Sequence, residues 1–266
     1  MLMAWQANDP PDPEPELRTF GSLTGEAPQT ELPTASSAPT TTTTAPSTTT
    51  SVAPVTSTTR TPGVATTTRP VAPAVTPPGF ESSVREIDAA TAARMTASWR
   101  PGCPVPLSDL RLVTITHWGF DGRPRPGELV VYAGQAEKIR RVFADLFAAR
   151  FPIEQVRLID EFGGDDDRSM AANNTSAFNC RSVKGSTHWS QHAYGRAIDI
   201  NPLQNPYVTG DGVSPPAGRE FLRRDGSRQG LITARGPVVT AFARIGWGWG
   251  GAWSSPDYQH FSANGR

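Results

Sequence analysis

The composition of the chain changes sharply near residue 79, and this break confines folding to the part that follows it. From about Asn8 to Pro78 the sequence is dominated by Thr, Pro, Ser and Ala, and it includes the run Thr40–Thr44. Such a segment has few large apolar side chains, so burial cannot offset the loss of chain entropy on folding. We expect residues 1–79 to be a disordered Thr/Pro/Ser-rich linker and residues 80–266 to form one domain.

The net charge and the two cysteines indicate which binding partners and which cellular compartment to expect. The formal net charge is zero, which gives no electrostatic reason to expect nucleic acid or an anionic membrane as a partner. No apolar run is long enough for a transmembrane helix, and Met1–Ala7 is too short for the core of a signal peptide, so export would use another route or a longer leader. Cys103 and Cys180 would be thiols in the cytosol and a disulfide outside it, and the stalk-like linker favours the disulfide.

Hydrophobic periodicity indicates a mixed fold. Apolar residues at helical spacing predict an amphipathic helix over Gln135–Phe151, and β-forming residues predict strands over Leu110–Thr116 and Glu128–Tyr132. Further predicted elements are helices at Glu86–Trp99, Ser169–Asn173 and Gly236–Ile245, and strands at Val156–Asp160 and Ala197–Ile200. Because strands and helices do not alternate regularly, we expect a small α+β domain with a largely antiparallel sheet and flanking helices.

Two of the four histidines lie in segments that also carry aspartates. In the first segment, a turn at Gly195 that leads into a strand would bring His192 back beside Asp199. Asp199 would then point away from Ile198 and Ile200, because side chains alternate along a strand. Two histidines and an aspartate, the second histidine coming from near the end of the chain, are a donor set that suits catalytic zinc. The alternative, for either residue alone, is a polar loop followed by a core strand.

The second segment contains Asp257 and His260, which are three residues apart. One turn would bring both side chains to the same face, so that His260 could bind a metal while Asp257 handles protons. The alternative is a surface turn with an ordinary ion pair. The following Phe261 and the preceding glycine–tryptophan run over Gly246–Trp253 argue against a simple surface position.

Taken together, these segments resemble the VanY-like zinc D-alanyl-D-alanine carboxypeptidases and L-alanyl-D-glutamate endopeptidases. The matching patterns are Ser-x-His-x-x-Gly-x-Ala-x-Asp at Ser190–Asp199, Trp-Gly-Gly-x-Trp at Trp249–Trp253 and Asp-x-x-His-Phe at Asp257–Phe261. The resemblance covers the chain from Cys103 to Phe261. It implies a small α+β fold with one zinc per chain, peptidoglycan stem peptides as substrates, a metal-bound water as nucleophile, and a monomer that acts outside the cytoplasm as a cell-wall-associated or secreted protein.

The resemblance also implies a role for individual residues. The zinc ligands would be His192, Asp199 and His260, and the general base would be Asp257. An arginine stabilises the oxyanion in this family, and Arg168 in Asp167-Arg168-Ser169 is the nearest match, with Arg181 as the alternative. Residues expected at the substrate rim are Ser190, His188, Trp249 and Trp253.

Two alternatives of a different class remain open at this point. A non-catalytic, zinc-containing cell-wall-binding module could use the same pocket, although it would have no need of Asp257. A stalk-tethered structural protein would leave the ligand set unexplained. The sequence does not choose between a carboxypeptidase and an endopeptidase, because an aspartate in place of glutamate at position 257 only resembles the endopeptidase branch.

Overall fold

The structure, a computed structural model, describes residues 79–226 and 228–266. The predicted linker therefore lies outside the described residues, apart from Gly79, and the domain boundary stays a prediction. The predicted α+β class is confirmed, since helices combine with small antiparallel sheets. Over the described ranges, no helix is long and apolar enough to cross a bilayer.

The described residues form ten short strands and four α-helices. The strands are β1 (Ser82–Glu86), β2 (Leu110–Trp118), β3 (Pro124–Tyr132), β4 (Gln155–Val156), β5 (Asn174–Thr175), β6 (Ala197–Asp199), β7 (Tyr207–Thr209), β8 (Gly212–Ser214), β9 (Gly248–Trp249) and β10 (His260–Ser262). The helices are α1 (Ala89–Arg94), α2 (Ala133–Ala148), α3 (Asp166–Ala171) and α4 (Pro237–Arg244).

The antiparallel sheet with the longest strands has the order β1-β2-β3. Val113 and Ile115 of β2 face the main hydrophobic core, into which α2 places its apolar stripe. That stripe consists of Ala136, Ile139, Val142, Phe143, Leu146 and Phe147, all buried. The predicted amphipathic helix is thus found, and it ends at Ala148 rather than Phe151.

A second antiparallel sheet, with the order β6-β10-β9, carries the residues of interest. Ile198 of β6 and Phe261 of β10 face the main core, where the Phe261 ring stacks on Phe242 of α4 with centroids 4.1 Å apart. These contacts anchor the inner face of the sheet. The alternate residues of the same two strands, Asp199 and His260, are therefore directed away from this core.

Cys103 and Cys180 are joined by a disulfide across a sequence separation of 77. Both lie at a second, smaller hydrophobic cluster that includes Leu110 and Leu112 of β2. The bond links the segment after α1 to the segment that leads towards His192.

Three predicted elements are wrong in extent, and one of them is the helix predicted over Ser169–Asn173, which spans Asp166–Ala171 in the structure. The helix predicted over Glu86–Trp99 begins only at Ala89, because Glu86 pairs with β2 and Asp88 caps the helix by accepting the N–H of Thr91 at 2.7 Å. The strand predicted over Val156–Asp160 ends at Val156. Beyond it the chain turns into a short 3-10 helix, where Asp160 Oδ1 accepts the N–H groups of Ala97 and Ser98, each at 2.8 Å.

Candidate metal centre

Strand pairing places Asp199 beside His260. In the antiparallel register of β6 and β10, Asp199 is the direct partner of His260 and Ile198 is the partner of Phe261. The Nδ1 atom of His260 lies 2.9 Å from Oδ1 of Asp199. The apolar residues on the inner face therefore fix the register, and the register brings the two polar residues together on the outer face.

His192 reaches the same point from a tight turn. Gln191–Tyr194 form a 3-10 turn in which Ser190 Oγ accepts the N–H of His192 at 3.3 Å. Gly195 ends the turn with φ of +64°, and a Cβ there would lie 2.5 Å from the backbone nitrogen of Tyr132. Only glycine combines this left-handed backbone with so close an approach. The predicted turn at Gly195 is present, and it returns His192 to β6.

A backbone carbonyl fixes the orientation of the His192 ring. Ser176 pairs with Asp199 along the free edge of β6, and the next residue, Ala177, presents its carbonyl oxygen 2.6 Å from Nδ1 of His192. Because a carbonyl only accepts, Nδ1 carries the proton and donates it, which leaves Nε2 to act as a ligand. Nε2 lies 3.2 Å from Oδ2 of Asp199.

His192, Asp199 and His260 thus form one compact donor set. Their ligand atoms all lie within 4.8 Å of one another, and in the described part of the chain no other group of three or more His, Cys, Asp or Glu side chains converges in this way. Both histidines are buried, and the aspartate side chain is only 13% exposed. Two imidazole nitrogens and one carboxylate oxygen are donors that fit zinc and leave a coordination position open.

The charges within the triad are strongly linked. Burial by itself would raise the pKa of Asp199, but the adjacent His192 and His260 outweigh it and hold that pKa well below the ordinary value. Burial would likewise lower the pKa of His260, but its hydrogen bond and attraction to Asp199 raise it instead. Asp199 is therefore a carboxylate around neutral pH, which is the form a metal ligand needs.

Asp257 lies at the edge of the triad in a turn that leads into β10. The turn is closed by His260, whose N–H donates to the carbonyl of Asp257 at 3.3 Å, and by Asp257, whose N–H donates to the carbonyl of Gly250 at 3.0 Å. A Cβ on Gly250 would lie 2.8 Å from the carbonyl oxygen of Asp257, so this glycine permits the close contact. The glycine–tryptophan run thereby supports the turn that carries Asp257.

The Asp257 carboxyl group is buried and binds a proton more tightly than an ordinary aspartate. Its Oδ1 atom is buried without a hydrogen-bond partner in the described ranges. Burial and the nearby Asp199 carboxylate raise the pKa of Asp257 to about 7. A carboxyl group in this state can exchange a proton near neutral pH, which suits general acid–base chemistry.

The two candidate arginines have different surroundings. Arg168 is exposed on α3, whereas Arg181 is half-buried and its Nε forms an ion pair with Asp166. The backbone of Arg181 is tied to the site, because its carbonyl accepts the N–H of Ser190 at 3.1 Å. Within the described residues, neither side chain has a hydrogen bond or ion pair to His192, Asp199 or His260.

Three of the four residues predicted at the substrate rim make contacts around the candidate site, and the fourth, His188, is exposed. Ser190 is buried as the cap of the His192 turn, and the Trp253 ring lies 5.4 Å from the His260 ring. Trp249 donates from Nε1 to the carbonyl of Tyr258 at 2.9 Å, which supports the turn that carries Asp257. His188, by contrast, is exposed in the hairpin closed by Ser182 and Trp189.

Sequence reasoning did not identify the residues that orient the site. The carbonyl of Ala177 carries no signal in the sequence, because any residue presents one. Asn179, whose N–H donates to the carbonyl of His192 at 3.1 Å and whose side chain donates to Asp166 at 2.8 Å, could have been singled out only as a buried polar residue.

A known protein family is similar to the part of the chain that carries the triad. A family model described as D-alanyl-D-alanine carboxypeptidase matches residues 184–263. The resemblance to the VanY-like enzymes is confirmed over this segment, which contains the triad and Asp257. The match starts at residue 184 rather than near Cys103, so that Arg168 and Arg181 lie before it. The match supports a peptidase, while no curated protein and no solved structure matches the chain.

Proposed function

We propose that the chain is a zinc metallopeptidase that hydrolyses peptidoglycan stem peptides outside the cytoplasm. The observation that carries this proposal is the convergence of His192, Asp199 and His260 within 4.8 Å, next to a buried carboxyl group at Asp257. The triad would hold one zinc ion through His192 Nε2, His260 Nδ1 and a carboxylate oxygen of Asp199. When bound, zinc supplies a Lewis acid that polarises the scissile carbonyl and acidifies a water molecule.

The residues of the chain would perform the remaining work. Asp257 would take a proton from the attacking water at its unpartnered Oδ1 atom and return it to the leaving amine. Arg181 would offset the negative charge on the carbonyl oxygen of the tetrahedral intermediate. We favour Arg181 over Arg168 because its backbone is hydrogen-bonded to the segment that carries His192.

The family description supports a carboxypeptidase that removes the terminal D-alanine, and an endopeptidase that cuts between L-alanine and D-glutamate is the second candidate. The aspartate at position 257 is the specific feature that favours the endopeptidase. Mass spectrometry of digested muropeptides separates the two, because release of alanine and release of a shortened peptide give different masses.

A non-catalytic binding module is distinguished from an enzyme by Asp257. The Asp257→Asn substitution keeps the size of the side chain and removes its basic carboxylate, so zinc should stay bound while hydrolysis falls by roughly a hundred- to ten-thousand-fold. Zinc content and turnover of the same preparation are the measurements. Asp109→Asn, an exposed change outside the site, is the matched control and should retain full turnover.

Two results would contradict this assignment. If Asp257→Asn lost its zinc, Asp257 would be a ligand and not the base. If the wild-type protein bound muropeptides tightly without cleaving them, the binding module would replace the peptidase.

A further inference from the structure

Arg224 lies between β8 and α4, and its side chain joins several loops. Its Nη1 donates to the carbonyls of Gln204 at 2.6 Å and Phe221 at 3.2 Å. Its Nη2 donates to Oδ1 of Asn205 at 2.7 Å and to the carbonyl of Ile232 at 2.6 Å. One guanidinium group therefore joins its own turn at Phe221 to the segments at Gln204–Asn205 and Ile232.

The same guanidinium also contacts the turn that carries Asp257. The Cζ atom of Arg224 lies 4.3 Å from the centroid of the Tyr258 ring, and Tyr258 directly follows Asp257. This is a cation–π arrangement, which is favourable when it is shielded from water. Arg224 is therefore one of the groups that pack against the Tyr258 ring, together with Trp249.

Asn205 extends this contact to the end of β6. Its side chain is fully buried, and its Nδ2 donates to the carbonyls of Ile200 at 3.1 Å and Gly230 at 2.9 Å. Its Oδ1 accepts from Arg224 and from the N–H of Ile232 at 2.8 Å. Arg224 and Asn205 consequently link the residue after Asp199 to the residue after Asp257.

Retaining a cation in this position is costly for stability. Burial lowers the pKa of the Arg224 guanidinium to about 10, and in the described part of the chain no carboxylate forms an ion pair with it. A partly buried charge compensated only by carbonyls, an amide and a ring is less favourable than apolar packing of the same volume. The arrangement is better explained by a need for a fixed geometry than by stability.

The three metal ligands are held by strand pairing and by a closed turn, whereas the Asp257 turn is held by loop contacts, to which Arg224 adds beside those of the glycine–tryptophan run. Asp199 and His260 are held by the pairing of β6 with β10, and His192 is held by its own turn. Asp257 lies before β10, where its segment is held by loop contacts. Pro256 accepts the N–H of Val208 at 2.8 Å, and Tyr258 donates its N–H to Pro206 at 3.3 Å.

We propose that Arg224 is a positioning residue that fixes the Asp257–Tyr258 turn relative to the metal ligands through Tyr258 and Asn205. The consequence for catalysis rests on the proposed peptidase function. The effect on the geometry of the turn does not, so the two can be tested separately.

The test compares Arg224→Met with Arg223→Met. Arg223 is the neighbouring arginine, its side chain is 90% exposed, and it forms an ion pair with Asp225 at 3.4 Å. Hydrogen exchange measured by mass spectrometry should show exchange about tenfold faster over residues 256–259 in Arg224→Met, with β6 unchanged, because local opening is confined to the released turn. Arg223→Met should exchange like the wild type.

The kinetic measurement uses stem peptide and zinc-loaded protein, corrected for the folded fraction. We expect kcat of Arg224→Met to fall by roughly ten- to a hundredfold, as a small misplacement of a catalytic group does, with KM changed less than about threefold and zinc content retained. Arg224→Lys keeps the positive charge over Tyr258 but loses the two-pronged guanidinium hydrogen bonds. Its kcat should lie between those of the wild type and Arg224→Met.

The outcomes that overturn the inference differ from those that overturn the peptidase. Unchanged exchange over residues 256–259, or an equal loss of protection in β6, would show that Arg224 does not position this turn in particular. A wild-type protein without hydrolytic activity would refute the peptidase, and the exchange result would still decide the role of Arg224.

Discussion

Loss of the Cys103–Cys180 disulfide should destabilise the domain strongly. The bond closes a loop with a sequence separation of 77. Chain-entropy treatment of a loop of that length gives about 4.5 kcal/mol of stabilisation, mainly by restricting the unfolded state. For a domain of this size, each kcal/mol changes Tm by roughly 2–4 °C, so the Cys103→Ala/Cys180→Ala variant should melt roughly 9–18 °C below the oxidised protein.

Thermal unfolding followed by circular dichroism measures this difference directly. Reductant should lower the Tm of the wild-type protein and leave that of the double variant unchanged, which controls for the alanine side chains themselves. Zinc binding by the double variant at low temperature should persist, since β6 and β10 fix the ligands independently of the bond. A fall of less than about 3 °C would refute the reasoning, because loop closure would then contribute little.

Two further predictions concern stability and domain organisation. Burial lowers the pKa of His117 in the folded protein, so the unfolded state binds the proton first and stability should decline as the pH falls below about 6.5. His117→Asn should make Tm less dependent on pH between 7 and 5, whereas the control His188→Asn, which changes an exposed histidine, should not. If Tm changed equally with pH in both variants, His117 would not be the group that reduces stability at low pH. Removal of residues 1–78 should leave Tm and turnover of soluble peptides unchanged, because a segment of that composition cannot form a core. A large drop in Tm would contradict this prediction.

The sequence predicted the fold best where local patterns and packing agree. The apolar spacing of Ile139, Val142 and Leu146 is enough to define α2, because a helix repeats every 3.6 residues wherever it lies. The strand predicted after Val156 is wrong because short apolar runs do not distinguish strands from other buried segments. There the decisive contacts, from Asp160 to Ala97 and Ser98, are distant in sequence.

The residues of the candidate site could be predicted from local sequence patterns, but the groups that orient them could not. His192, Asp199, Asp257 and His260 are side chains whose chemistry is visible in the sequence, and their spacing matches a known pattern. The groups that orient them are backbone carbonyls, such as that of Ala177, and loop residues such as Asn205 and Arg224. Their roles arise from tertiary contacts within a segment whose Gly and Pro content predicts only a loop.

Metal analysis of the purified protein shows whether His192, Asp199 and His260 hold one metal ion. We expect about one zinc per chain in the wild-type protein, because three donors with an open position define a catalytic site. His192→Ala and His260→Ala should each lose most of the zinc while His188→Ala, which changes an exposed histidine, retains it. Full zinc occupancy in both ligand variants, or no zinc in the wild-type protein, would show that these three residues are not the metal ligands.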